Sequence, residues 1–228
     1  MTILALVTAI VAVSGVSMIP VWKPAAWAED LGDQGFWIKL CSAALVIGIA
    51  ASVAMAIMLP ESTPTPYFFA TVLASGLSAT LLSIWVVTDG RLRLVDRRQT
   101  NLAILIGLPF SIWVMATHFD VVTLVSVLVI LFLSVLLYLF AQTAVGVGDI
   151  RAMNFIAVVL TPLLGYTGLM WAVVLTGFTF MGIGFLVAYI VRKLKVSLPA
   201  APMLLAPFVF VLLTSPIVAY GPITLGGN

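Results

Sequence analysis

The chain has 228 residues, 63% of them hydrophobic and 8% charged, with a formal net charge of +2. A soluble domain carries about 45–50% apolar and about 25% charged residues, so this chain has too few polar side chains to cover a water-facing globule. A soluble enzyme, a disordered chain and a nucleic-acid-binding protein are thereby excluded, and an all-α polytopic integral membrane protein in contact with a lipid bilayer is expected.

A helix needs about 20 apolar residues to cross about 30 Å of hydrocarbon. Eight stretches meet or approach that length: 2–22, 37–59, 67–88, 102–118, 121–142, 152–165, 167–191 and 199–221. His118-Phe119-Asp120 is the only break between the fourth and fifth. Gly165-Tyr166-Thr167 is the only break between the sixth and seventh, and Pro162 lies in the short sixth. Residues 152–191 are far too long for one crossing, so a hairpin is expected there. The proline-rich 60–66 stretch reads as an extended outer loop. Gly177 and Gly182 suit close helix packing. Cys41 is the single cysteine, which excludes an intrachain disulfide and a multi-cysteine zinc site. It reads as a small buried hydrophobe.

Charge tests the span count. With the N-terminus outside, residues 23–36, 89–101, 143–151 and 192–198 face the cytoplasm. Lys23, Lys39, Arg91, Arg93, Arg97, Arg98, Arg151, Arg192, Lys193 and Lys195 all fall in or beside those segments, and the opposite loops carry no lysine or arginine. The positive-inside rule therefore supports eight spans with both termini outside, in a cytoplasmic (inner) membrane. Ala26-Trp27-Ala28 resembles a signal-cleavage site, but the extreme N-terminus lacks a basic residue. Cleavage there would also turn most of the basic residues outward, so the first span is expected to be retained.

The acidic residues are Glu29, Asp30, Asp33, Glu61, Asp89, Asp96, Asp120 and Asp149. Most fall in loops, and Asp96 reads as a solvated one. Asp89 ends an apolar span and Asp149 precedes one, where carboxylates are costly and are functional candidates by default. The topology brings both to the cytoplasmic boundary. Gly146 and Gly148 flank Asp149 and allow irregular backbone or close approach of a neighbour. Paired carboxylates in a low-dielectric site share one proton. One member then takes a proton from water while the other donates to a carbonyl oxygen. Such aspartyl proteolysis needs no metal and no cofactor. Separately, Asp149 also suits the start of a helix near residue 150, and Asp89 suits pairing with Arg91 or Arg93.

Three stretches resemble the type IV prepilin peptidase family of GxGD-type intramembrane aspartyl proteases. They are Asp89-Gly-Arg-Leu-Arg-Leu-Val-Asp-Arg-Arg-Gln-Thr100, Gly146-Val-Gly-Asp149-Ile-Arg151, and Leu198-Pro-Ala-Ala-Pro-Met-Leu-Leu-Ala-Pro-Phe208. The resemblance covers about 67–222. It divides the chain into two N-terminal helices with an outer loop (1–66) and a six-helix protease core (67–228). It implies that Asp89 and Asp149 are the catalytic pair, with Gly146, Gly148 and Arg151 completing the motif. It also implies a prepilin-like substrate with a basic leader and a hydrophobic N-terminal helix, cut at the cytoplasmic face. The chain departs from the family where Asp96-Arg97 replaces Pro-Asn and where Arg151 stands for lysine. It lacks the cysteine-bearing N-terminal domain of the long forms, and so is similar to the short forms of tight-adherence (Flp) pilus systems. Glu29, Asp30 and Asp33 form an acidic loop suited to attracting a basic leader. Two other readings stay open: a transporter using the aspartates as a proton relay, and a non-catalytic pilus or secretion assembly subunit.

Overall fold

The computed structural model describes residues 2–22, 32–92, 94–140, 146–191 and 199–219. Among these the chain is helical throughout, in the order α1 (Thr2–Trp22), α2 (Gln34–Met58), α3 (Thr65–Leu92), α4 (Arg97–Thr117), α5 (Val121–Phe140), α6 (Val147–Phe155), a π-helical turn (Ile156–Leu160), α7 (Thr161–Val191) and α8 (Ala200–Ala219). Six helical stretches among them are long and apolar enough to cross a membrane. The protein is thus an all-helical chain with the composition and helix lengths of a multi-pass membrane protein.

α3 is the central element. It packs on α1, α2, α4 and α8 and is buried over most of its length. Leu73, Leu77, Leu81 and Trp85 carry its contribution to the core. Its small polar residues make the close contacts. Ser52 Oγ of α2 donates to the Val72 carbonyl at 3.1 Å, and Thr80 Oγ1 donates to the Ala44 carbonyl of α2 at 3.5 Å. Hydroxyls serve as interhelical glue in this way where water is absent. The tight crossing lies at Gly48 and Gly76, where the backbones of α2 and α3 nearly touch. At Gly177 and Gly182 nothing lies within 4 Å of a would-be Cβ, so the glycines expected to pack closely do not. α5 sits at the other extreme, with Val125, Leu128, Phe132 and Leu139 all exposed. A continuous apolar face of this kind suits lipid.

Local chemistry sets the helix ends. Asp33 Oδ1 accepts from the Phe36 amide at 2.8 Å and caps α2. Asp96 caps α4, so that helix begins at Arg97, earlier than the apolar pattern alone suggests. Asp96 is also only 6% exposed and pairs with Arg98 at 3.1 Å. It is a buried cap, not a solvated loop residue. Pro162 has no amide hydrogen, so the preceding turn cannot keep the ordinary ladder. The backbone widens into the π turn, and Thr161 donates through both its amide and its Oγ1 to the Ile156 carbonyl. Gly165 then breaks α7 with φ 61° and ψ −176°, a conformation essentially confined to glycine. The break falls where the 152–191 hairpin is expected. Cys41 is buried beside Trp37.

Asp120 caps α5 by accepting from the Val122 amide at 3.1 Å, the Thr123 amide at 3.0 Å and Thr123 Oγ1 at 2.6 Å. The Thr123 hydroxyl first, then the Val122 and Thr123 amides, hold its carboxyl below its ordinary value. A lowered folded pKa contributes stability above the ordinary carboxylate range, and that contribution is lost as pH falls through the folded value. Asp120→Ala should therefore lower Tm slightly at pH 7, and the difference should shrink as pH falls through and below the ordinary carboxylate range. Paired thermal melts across that range check it.

Candidate active site

The bundle has a polar end, where α3 finishes and α4, α6 and α8 begin. Asp89 lies within the last turn of α3, which runs on through Leu92 rather than stopping at residue 88. Its side chain is 4% exposed. Asp89 Oδ2 accepts from the Ala201 amide at 3.1 Å. Ala201 is the second residue of α8, and amides in a helix's first turn have no partner within the helix. A buried carboxyl needs donors, and α8 supplies one from the third stretch singled out in the sequence.

Asp149 lies in the first turn of α6, which Gly146 opens without a side-chain cap. A carboxylate there is favoured by the helix dipole, and the same holds for Asp89 at the start of α8. Gly146 has ordinary extended backbone (φ −64°, ψ 143°), so its lack of a side chain matters for space alone. A Cβ there would lie 3.2 Å from Asp149 Oδ2. A Cβ on Gly148 would lie 3.0 Å from Val95 Cγ2, and Arg151 Nη1 donates to the Val95 carbonyl at 3.2 Å. The link from α3 to α4 is thus pressed onto the start of α6. α6 also packs against α8, which holds Asp89. Both aspartates, Gly146, Gly148 and Arg151 therefore gather at one end of the bundle.

The described basic side chains gather there too. Arg91 stacks over Phe36 at 6.0 Å from the ring centroid, and Lys39, Arg97, Arg98 and Arg151 lie near the starts of α2, α4 and α6. The far end holds Tyr67, which hydrogen-bonds the Leu163 carbonyl and makes an edge contact with His118. His118 is accordingly remote from the aspartates. Asp33 is at the polar end through its cap on α2, whereas Glu29 and Asp30 lie outside the described residues, as do Lys23, Arg93, Arg192, Lys193 and Lys195.

Sequence reasoning missed several participants. Gln99 is fully buried and donates through Nε2 to the Val16 carbonyl at 3.2 Å, tying α4 to α1. Its Oε1, with Trp85 Nε1 and Thr88 Oγ1 on the same stretch of α3 as Asp89, is buried without a partner among the described residues. These are polar atoms left over for water or a bound chain. The polar run from 97 to 101 carried a signal for Gln99. Ala201 and Val95 act through backbone atoms and left none.

The contact between Gly148 and Val95 yields a direct test. Gly148→Ala should displace the start of α6 and lower both Tm and any activity of the site. Val95→Ala in the same chain should restore part of both, because it removes the Cγ2 that the new methyl meets at 3.0 Å while the Cβ at 3.1 Å stays. Melting and turnover of the four combinations measure the coupling.

No family model, no curated protein and no solved structure matches this chain. The class the structure defines is an all-helical, multi-pass type of protein with two carboxylates at one polar end.

Proposed function

We propose that this protein is a membrane-embedded aspartyl endopeptidase that removes the basic leader from prepilin-like precursors at the cytoplasmic face. One observation carries the reading: Asp89, buried against α8, and Asp149, in the first turn of α6, belong to the same polar end of the bundle. The resemblance to type IV prepilin peptidases of the short, Flp-type form rests on the same two residues and their neighbours. In this reading the chain crosses an inner membrane eight times with both termini outside. The confinement of the described basic side chains to the aspartate end supports that orientation. The Gly165 break supports the hairpin it requires.

The chemistry follows from paired acids. The ionised aspartate takes a proton from the attacking water while the protonated one donates to the scissile carbonyl oxygen. A proton then passes to the leaving amine. The pair titrates as a unit, so the proton belongs to both. The unpaired polar atoms of Trp85, Thr88 and Gln99 offer hydrogen bonds to an extended segment entering the site. Asp33 caps α2 yet stays exposed, so with Glu29 and Asp30 it can attract a basic leader.

Co-expression with a prepilin-like precursor tests the reading. A smaller product cut behind the basic leader is expected. Solute or proton flux without cleavage indicates the transporter, and pilus assembly without either indicates the non-catalytic subunit; both outcomes reject the protease.

A further inference from the structure

A second site lies where α4, α5 and α6 meet, and α8 lines no part of it. Between α4, α5 and α6 is a cleft of about 320 Å³ lined by Arg97, Asn101, Ser134, Tyr138, Arg151 and Asn154, with Val135, Val147 and Ile150 completing its walls. Its charged groups are of one sign. Two guanidiniums and two side-chain amides offer donors, and among the described residues no carboxylate lines it. Among the described residues neither Arg97 nor Arg151 has an ion-pair partner, whereas their neighbour Arg98 is paired with Asp96. Arg97 is close enough for its charge to oppose that of Arg151, and Asp96, outside the lining and already paired with Arg98, offsets part of that opposition. Two like charges held around one concavity are stabilised by an anion between them, and guanidinium forks match the oxygens of a phosphate.

The position of the cleft identifies what carries the anion. One wall is α5, whose outward face is apolar along its length, with Phe132, Leu139 and Phe140 exposed. Tyr138, half exposed at the cleft, sits at the polar end of that face. A ligand with its head among the arginines therefore has a hydrocarbon-compatible track for its chains. Basic pockets between membrane helices near the polar boundary take anionic head groups. We propose that this cleft binds the phosphate head group of an anionic membrane phospholipid, with the acyl chains lying along α5. The proposal does not depend on the protease reading, although an occupied cleft would brace α6 within one turn of Asp149.

The test uses the full chain purified in a neutral detergent. Native mass spectrometry counts the lipid retained when phosphatidylglycerol or phosphatidylcholine is titrated in. The wild type should hold one phosphatidylglycerol in clear preference to phosphatidylcholine. The double variant Arg97→Gln/Arg151→Gln should bind it about thirtyfold more weakly. Arg98→Gln, which removes a nearby charge outside the cleft, should change binding by about twofold at most. Arg97→Lys/Arg151→Lys should keep most of the preference, and phosphatidylglycerol should raise the wild-type Tm. Equal retention of the two lipids by the wild type overturns the proposal whether or not the variants fold. So does undiminished binding in a folded double glutamine variant. Displacement of phosphatidylglycerol by millimolar inorganic phosphate, with the same rise in Tm, assigns the cleft to a free anion and overturns the lipid.

Discussion

Asp89→Asn and Asp149→Asn should each reduce leader cleavage by about a thousandfold or more while leaving the folded helix bundle in the membrane. The size follows from the roles. An amide is nearly the shape of a carboxyl but neither accepts the proton of an attacking water nor delivers one to a carbonyl oxygen, and each of those transfers contributes about 10²–10⁴. The two losses should not add. A pair that shares one proton fails when either member is lost, so the double variant should be about as inactive as each single one. Structure should survive in both cases. At position 89 an asparagine oxygen still accepts from the Ala201 amide that Asp89 holds. At position 149 the Asp149 amide remains bonded to the Gly146 carbonyl at 3.0 Å, whatever the side chain. Cleavage of the co-expressed precursor, normalised to membrane-inserted protein, measures the effect. Activity retained by either variant removes that residue from the pair.

The largest effect on folding should come from a methyl group at the α2–α3 crossing. On Gly48 it would lie 2.1 Å from Thr80 Oγ1, 2.7 Å from Val13 Cγ1 and 3.0 Å from the Gly76 carbonyl oxygen. On Gly76 it would lie 2.2 Å from Ser52 Oγ, 2.9 Å from Val13 Cγ2 and 3.1 Å from the Gly48 carbonyl oxygen. A side chain can rotate away, but the facing backbone cannot. The helices must separate and so lose the Ser52 bond to Val72 and the packing of Val13. Overpacking of this kind costs about 1–3 kcal/mol or more. Gly48→Ala and Gly76→Ala should each lower Tm by about 5–10 °C. Gly177→Ala provides the contrast. It has open space around it, and alanine is the better helix former, so it should be neutral or slightly stabilising. Equal behaviour of Gly48→Ala and Gly177→Ala would contradict the crossing.

Where the protein is helical was legible because each span is a run of apolar residues. Thr2–Trp22 coincides with the expected 2–22, and α5 begins at the expected residue 121. Helix ends were less legible wherever polar residues continue a helix. α3 carries on through Asp89-Gly90-Arg91, and α4 starts at Arg97 because Asp96 caps it. Hydropathy reads both as loop. The helix crossings could not be read at all. Small residues recur along the spans, and only three-dimensional packing distinguishes Gly48, which meets α3, from Gly177, which meets nothing among the described residues. Of the candidate site, Asp89, Gly146, Gly148, Asp149 and Arg151 were visible because charge and motif spacing are properties of side chains. Their supports were not. Ala201 contributes an amide and Val95 a carbonyl, and any residue but proline offers the first while every residue offers the second. The basic cleft was hidden for a related reason. Arg97 looked like a determinant of orientation and Arg151 like part of the motif, and their facing across one cavity depends on how α4 and α6 pack.

In the proposed mechanism two acids far apart in sequence close on one water molecule. Cross-linking tests it most directly. With Cys41→Ala as background, Asp89→Cys and Asp149→Cys are introduced together, and the membranes are treated with a short bifunctional thiol reagent in the presence and absence of a prepilin-like substrate. An intramolecular 89–149 cross-link is expected, identified by mass spectrometry of the digested protein and increased by substrate. Both thiols reacting singly with a monofunctional reagent, yet giving no cross-link under either condition, would contradict it.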